Sequence, residues 1–182
     1  MTDILLAHGS RHPRAAEGLE ELRAAVTFRT GRPTRVAYLD LQQPLLADVA
    51  RPGDTVVPLL FTDAFHTRHD VPAATAGLGV RVTAPLGLGD DIAAVLRPRV
   101  QPGAVLYAVG SSMPGANQDV ARLAAQLGTD VAFATCSPRY SSGSGPVIPL
   151  FVTYGLLLDR VPGAQPLAAE LAPVVAHRIL HR

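Results

Sequence analysis

The chain has no lysine: all sixteen of its Lys-plus-Arg positions are Arg. That excludes Schiff-base chemistry and a phosphate-loop lysine. Any anionic ligand must be met by Arg, whose planar fork suits carboxylates. A single cysteine, Cys136, excludes an intramolecular disulfide and any Cys-rich zinc or iron–sulfur cage. No apolar run reaches the length of a bilayer span. Met1-Thr2-Asp3 leads straight into a short apolar strand, without the basic and long apolar regions of a signal peptide, so the expected location is the cytoplasm. A formal net charge of +1, with six His counted as neutral, leaves no electrostatic footprint for nucleic acid. No basic cluster points to a membrane surface.

What is present is a core. The chain has 182 residues, 48% of them hydrophobic, enough for one ordinary domain or two small, tightly packed ones. Short apolar runs at 4–7, 35–39, 55–61 and 80–84 read as buried parallel strands. Between them, 13–30, 44–49 and 71–78 read as helices, with Pro13, Pro44 and Pro72 near their starts. The alternation predicts an α/β fold with parallel sheets flanked by helices.

After a helix at 89–99 and a turn at Gln101-Pro102-Gly103, the pattern restarts: strand 104–109, helix 114–127, strands 130–134 and 146–151, and a terminal helix at 166–180. Ile4-Leu5-Leu6-Ala7-His8-Gly9-Ser10 matches Val105-Leu106-Tyr107-Ala108-Val109-Gly110-Ser111. Val36-Ala37-Tyr38-Leu39-Asp40 matches Val131-Ala132-Phe133-Ala134-Thr135, and Val57-Pro58-Leu59-Leu60-Phe61-Thr62 matches Ile148-Pro149-Leu150-Phe151-Val152-Thr153. The matches keep their order, which predicts two similar halves, 1–100 and 101–182, the second degenerate. The second copy is shortened by about one helix and one strand, because Val161-Pro162 is followed almost at once by Gln165-Pro166-Leu167.

The repeat acts as an internal control. Ligands in open α/β sheets sit beyond the carboxyl ends of the strands. There, His8 corresponds to Val109, Asp40 to Thr135 and His66 to Leu157 or its neighbour, so the polar groups are confined to the N-terminal half. Taken singly, each residue has a bland reading. His8 sits in a Gly-containing turn, Asp40 can cap the helix near Pro44, and His66 with His69 can be surface residues sharing a helical face. Together they give imidazole, carboxylate and imidazole at three neighbouring strand ends. Imidazole suits iron(II), cobalt(II), nickel(II) and zinc(II), and so few protein ligands leave coordination positions open. His177 and His181, four apart on the terminal helix, can also share a face, at a solvated helix end.

His8-Gly9-Ser10-Arg11 after the first strand resembles the entry motif of the sirohydrochlorin chelatases. Val56-Val57-Pro58-Leu59-Leu60-Phe61, then His66 and Asp70-Val71-Pro72, is similar to their second motif. Tyr38-Leu39-Asp40 and Gln43-Pro44-Leu45 resemble the segment between. With the repeat, the resemblance covers nearly the whole chain. It implies two α/β halves around a cleft, and insertion of a divalent metal (Co2+, Fe2+ or Ni2+) as substrate into sirohydrochlorin or a related tetrapyrrole, with no permanently bound cofactor. It implies metal handling by His8 and His66, a supporting carboxylate at Asp40, and macrocycle contacts from Ser10, Arg11, Arg14 and Arg68. The Arg residues are named because bidentate pairing suits rim carboxylates. Asp40 stands where the family usually has Glu, and His69 where an acidic residue is common. A monomer or homodimer is expected. The alternatives are a non-catalytic tetrapyrrole or metal carrier or sensor, a histidine phosphatase, and a plain α/β domain with scattered His. The phosphatase is disfavoured because Ala7 stands where an Arg would precede the nucleophilic His.

Overall fold

The structure is a computed structural model that describes residues 1–62, 69–143 and 145–181. His66 and Arg68 therefore lie outside the described residues. Strand β1 (Asp3–Ala7) is buried along its whole length, as a central strand covered on both faces must be. It pairs in parallel with β2 (Thr34–Tyr38) on one side and β3 (Thr55–Pro58) on the other, and the short β4 (Arg81–Val82) extends the β3 edge. Helix α1 (Ala15–Thr30) returns the chain from β1 to β2 and ends at Gly31, whose left-handed backbone (φ 66°) closes its last turn. The one-turn α2 (Leu46–Val49) and short α3 (Val71–Thr75) follow β2 and precede β4, and α4 (Asp90–Leu96) leads out of the first half.

The second half repeats the plan. Strand β5 (Val105–Ala108), helix α5 (Pro114–Leu127), strand β6 (Asp130–Phe133) and strand β7 (Val147–Pro149) form a parallel sheet of order β6-β5-β7, matching β2-β1-β3. The register matches too: Leu5 faces Val36 and Val57, and Leu106 faces Val131 and Ile148. Even the strand exits agree, since Tyr38 N–H donates to the carbonyl of Pro44 (3.0 Å) as Phe133 N–H donates to that of Pro138 (2.8 Å). Among the described residues, no helix or strand lies between 161 and 167, and the second sheet has three strands where the first has four.

Alternation along the strands builds three apolar layers. Leu5 and Ala7 of β1 and Leu106 and Ala108 of β5 point into one shared core. Helices α1, α4, α5 and α6 (Ala172–Leu180) fill that core between the two sheets. Ile4 and Leu6 face a separate cluster on the outside of the first sheet, and Val105 and Tyr107 one outside the second. The C-terminal helix binds the opposite half. Arg178 of α6 donates to the carbonyls of Pro85 (3.1 Å) and Leu86 (2.9 Å) and pairs with Asp91 at 2.7 Å. Arg81 at the sheet edge donates to the carbonyl of Ile179 at 3.1 Å. No described helix is long and apolar enough to cross a membrane.

Two boundaries differ from the sequence reading. The terminal helix begins as a tight turn at Ala168–Leu171 before α6. Asp40 does not cap α2; Leu45 is the capping position, and the side chain of Asp48, one turn in, takes its N–H at 2.8 Å.

Candidate functional site

In each sheet the chain leaves the central strand toward one side, from β1 to β2 and from β5 to β6, and then crosses to the other side at β3 and β7. The crevice at such a switch point, beyond the carboxyl ends of the strands, is where open α/β sheets bind ligands. Here the two crevices open onto one cavity of about 500 Å3. From the first half it is lined by His8, just past β1, and by residues 59–62, just past β3. From the second it is lined by residues 108–113, past β5, and 150–152, past β7.

Most of the lining is apolar, including Leu59, Phe61, Val109, Met113, Phe151 and Val152. Its polar groups are His8, Thr62, Ser111, Ser112 and Asn117. His8, half-buried, is the one imidazole among the described lining residues. Its counterpart Val109 lines the same cavity, so an imidazole on one wall faces a valine at the equivalent position of the other.

The loop that presents His8 is built from backbone bonds. Asp40 N–H donates to the His8 carbonyl at 3.0 Å, and Ser10 N–H donates to Gln42 Oε1 at 2.8 Å. Gly9 has φ 105°, a conformation open to glycine, and a Cβ there would lie 1.9 Å from the Asp40 carbonyl oxygen. Ser10 Oγ accepts the His12 N–H at 3.1 Å.

His12, which the sequence reading passed over, is buried. Its Nδ1 accepts the Arg14 N–H at 3.1 Å, which leaves Nε2–H to donate to Asp159 Oδ2 at 2.9 Å, across the boundary between the halves.

The other expected residues fall as follows. Asp40 brings its backbone to the His8 loop, but its side chain is exposed, accepts the Leu41 N–H at 2.7 Å and does not line the cavity. Arg11 is exposed. Arg14 forms a bidentate pair with Glu17 (both contacts 2.8 Å) and lies 3.8 Å over the Tyr154 ring. The Glu17 hydrogen bond holds the Arg14 guanidinium above its ordinary range and, reciprocally, the Glu17 carboxyl below its own. His177 and His181 stack on each other with ring centroids 4.2 Å apart, on the C-terminal helix and away from the cavity lining. Among the described residues, no group of three or more His, Cys, Asp and Glu side chains is gathered for a metal ion.

The cavity residues of the second half, Ser111 to Met113 and Asn117, carry no imidazole or carboxylate and so do not stand out in the sequence as ligands. The signal was in the repeat: Gly110-Ser111 aligns with Gly9-Ser10 and takes the same turn, with Met113 N–H donating to Ser111 Oγ at 3.0 Å.

The sequence pattern of the CbiX family matches residues 3–102, more than half of the chain. The chain belongs to the CbiX family. A curated relative, the sirohydrochlorin ferrochelatase of Bacillus subtilis (strain 168), is 27% identical over 169 residues, covering 79% of this chain and 64% of that protein. The chain thus spans less than two thirds of that relative's length. Two solved structures share the fold. SirB from Bacillus subtilis with Fe3+ has a TM-score of 0.75 at 18% identity, covering 98% of this chain and 93% of that one. SirB from Bacillus subtilis subspecies spizizenii in complex with cobalt has a TM-score of 0.71 at 19% identity, with the same coverage of 98% and 93%. The fold of this chain is thus shared with these two structures over nearly its whole length.

Proposed function

We propose that this chain inserts a divalent metal, cobalt or iron, into sirohydrochlorin or a related tetrapyrrole, acting as a lyase. The observation that carries the proposal is the placement of His8 as the one described imidazole on an otherwise largely apolar cavity shared by the carboxyl ends of two parallel sheets. A cavity of about 500 Å3 lies within the range of roughly 300–1,000 Å3 usual for small-molecule sites. Its largely apolar lining suits the face of a macrocycle. The half comprising residues 1–100 supplies the metal side, and residues 101–182 supply the facing wall.

The metal ion is the second substrate. Neutral imidazole at His8 binds it, and His66, four residues beyond the cavity-lining Thr62, is the proposed second ligand. An imidazole nitrogen cannot hold a metal and a proton together, so ligation and pyrrole deprotonation are sequential. The metal replaces two pyrrole protons, which pass to a released imidazole or to water. Ser10, Arg11 and Arg68 are proposed to meet the rim carboxylates. Arg14 can join them only by leaving Glu17, which makes it the weakest of that set. Asp40 is proposed to act on proton release from outside the cavity wall rather than as a metal ligand, because its carboxylate is exposed and turned to Leu41. The similarity to a sirohydrochlorin ferrochelatase, and to SirB structures holding Fe3+ and cobalt, supports this reading.

The test mixes the protein with sirohydrochlorin and, separately, iron(II), cobalt(II) or nickel(II), and follows the absorption spectrum against an enzyme-free control. Multiple turnovers to metallated product are expected with cobalt or iron. Tight stoichiometric binding without turnover would replace the enzyme with a carrier or sensor.

A further inference from the structure

The His8 loop is fixed at its two ends by different halves of the molecule. At its start, Asp40 N–H and Gln42 Oε1 hold His8 and Ser10 to the neighbouring strand exit of the same half. At its far end the anchor is His12, and the partner of His12 is Asp159, 147 residues away, in a tight turn (Leu158–Arg160) of the half that carries no ligand on its strand ends. The bond is directional. Arg14 N–H occupies His12 Nδ1, so Nε2–H has one orientation in which to donate, and Asp159 Oδ2 receives it at 2.9 Å.

Neighbouring contacts close the same seam. Thr153 Oγ1 donates to the Ala15 carbonyl at 2.6 Å, and a Cβ on Gly18 would lie 2.5 Å from that oxygen, so α1 is pressed against the second half. Tyr154 lies beneath the Arg14 guanidinium. The equivalent loop of the second half has Met113 at the position of His12 and makes no such bond, so the tie belongs to the ligand-bearing loop alone.

We infer that Asp159 is a positioning residue for the metal-handling loop: it fixes the His12 imidazole, and through it the loop of residues 8–12, so that His8 presents its ring to the cavity in one orientation. The second half thereby acts on the metal without touching it. This rests on the reading of His8 as the residue that handles the metal. The physical basis is that hydrogen-bonding partners behind a metal ligand fix its orientation, and losing one typically costs roughly 10- to 100-fold in metal affinity; Asp159 acts one step further back, through His12 and the loop that carries His8. Asp159 is itself half-exposed, with a side-chain accessibility of 56%, so removing its carboxylate leaves the packing of the seam in place.

The experiment compares the full-length wild type with Asp159→Ala and Asp159→Asn in two measurements. The first records side-chain nitrogen–proton NMR signals of the His8 ring, assigned with His8→Ala. The second titrates the protein with cobalt(II) alone and reads the affinity from its visible absorption. Asp159→Ala is expected to shift or broaden the His8 signals and to weaken cobalt(II) binding by roughly 10-fold or more. Asp159→Asn, whose amide oxygen still accepts the His12 N–H, is expected to behave as wild type in both. A merely structural role would lower the thermal midpoint and leave the His8 signals unmoved. The inference is overturned if Asp159→Ala keeps wild-type His8 signals and cobalt affinity, or if Asp159→Asn is impaired as severely as Asp159→Ala. Failure of the chelatase reading shows elsewhere, as wild-type protein that inserts no metal into sirohydrochlorin, and the NMR comparison decides the role of Asp159 in either case.

Discussion

Asp40 N–H donates to the carbonyl of His8 at 3.0 Å, and Thr135 N–H donates to that of Val109 at the same distance in the second half. The bond is backbone only, so it persists where both side chains have changed. At this strand exit the halves therefore share the backbone bond and differ in the side chain it presents, His8 in one and Val109 in the other.

Gly9 makes that bond possible, and it tolerates no side chain. Gly9→Ala meets two penalties: a backbone at φ 105°, and a Cβ 1.9 Å from the Asp40 carbonyl oxygen, which is itself fixed by the strand exit. Strain of the first kind alone costs about 1–3 kcal/mol. Gly31→Ala, at φ 66° with nothing within 4 Å of a Cβ, meets only the left-handed penalty of about 1–2 kcal/mol. Urea unfolding should rank Gly9→Ala well below Gly31→Ala in stability. Equal losses would mean that the loop relaxes away from Asp40 freely.

His8→Ala removes a half-buried ring from an open cavity wall, so the fold should survive and the chemistry should not. Cobalt(II) affinity and metal insertion are expected to fall at least 100-fold, with a circular dichroism spectrum and melting midpoint close to wild type. Val109→Ala, on the facing wall, removes two methyl groups and no ligand. It is expected to raise KM for the tetrapyrrole while leaving cobalt(II) binding unchanged. A variant His8→Ala with wild-type turnover would end the assignment.

Most of the scaffold is legible in the sequence because its signals are local. Apolar runs bounded by Pro and Gly mark β1, β2, β3, β5 and β6, and the order of the repeated segments predicts that the two sheets share a plan, as they do. His8 is legible for the same reason, since a residue just past a central parallel strand must face the crevice. The long-range contacts carry no comparable signal. Nothing in the spacing tells that α6 binds the loop after β4 and the start of α4 through Arg178, or that His12 meets Asp159. Arg14 illustrates the opposite error. Its position near the entry motif suggests a carboxylate clamp, whereas Glu17 three residues on and Tyr154 from the other half already occupy it.

Arg32 and Asp3 form the most enclosed ion pair described at the foot of the first sheet. The carboxylate of Asp3 is fully buried and accepts from Arg32 Nε at 2.7 Å and Nη2 at 2.9 Å. Removing one partner of such a pair strands a buried charge, at about 3–5 kcal/mol for a fully enclosed pair. Arg32 keeps 32% of its side chain exposed, so water relieves part of that, and the expected loss for Arg32→Ala is about 2–3 kcal/mol. The double variant Asp3→Asn with Arg32→Ala removes the stranded charge and should recover part of the loss in chemical denaturation. A double variant less stable than Arg32→Ala alone would show that the Asp3 charge is not the source of the penalty.

Tyr38 sets a limit on stability at alkaline pH. Burial pushes its phenol above the ordinary value near 10, and the Glu20 carboxylate adds to the shift in the same direction. The unfolded chain, with an unshifted phenol, releases its proton first. The contribution of Tyr38 to stability is therefore complete below about pH 10 and is lost as the pH rises from there through the higher folded-state value. Tyr38→Phe should leave unfolding free energy near pH 7 almost unchanged and flatten its decline above pH 10. Tyr107 is also shifted upward by burial, with Arg160 opposing, but its hydroxyl donates to the Leu157 carbonyl at 2.8 Å. Tyr107→Phe should accordingly lose stability already at pH 7, by about 1 kcal/mol or more for the carbonyl left without its donor. The two variants thus separate a phenol that only resists ionisation from one that also holds a turn in place. An unchanged alkaline decline in Tyr38→Phe would mean that the phenol of Tyr38 reaches water in the folded protein.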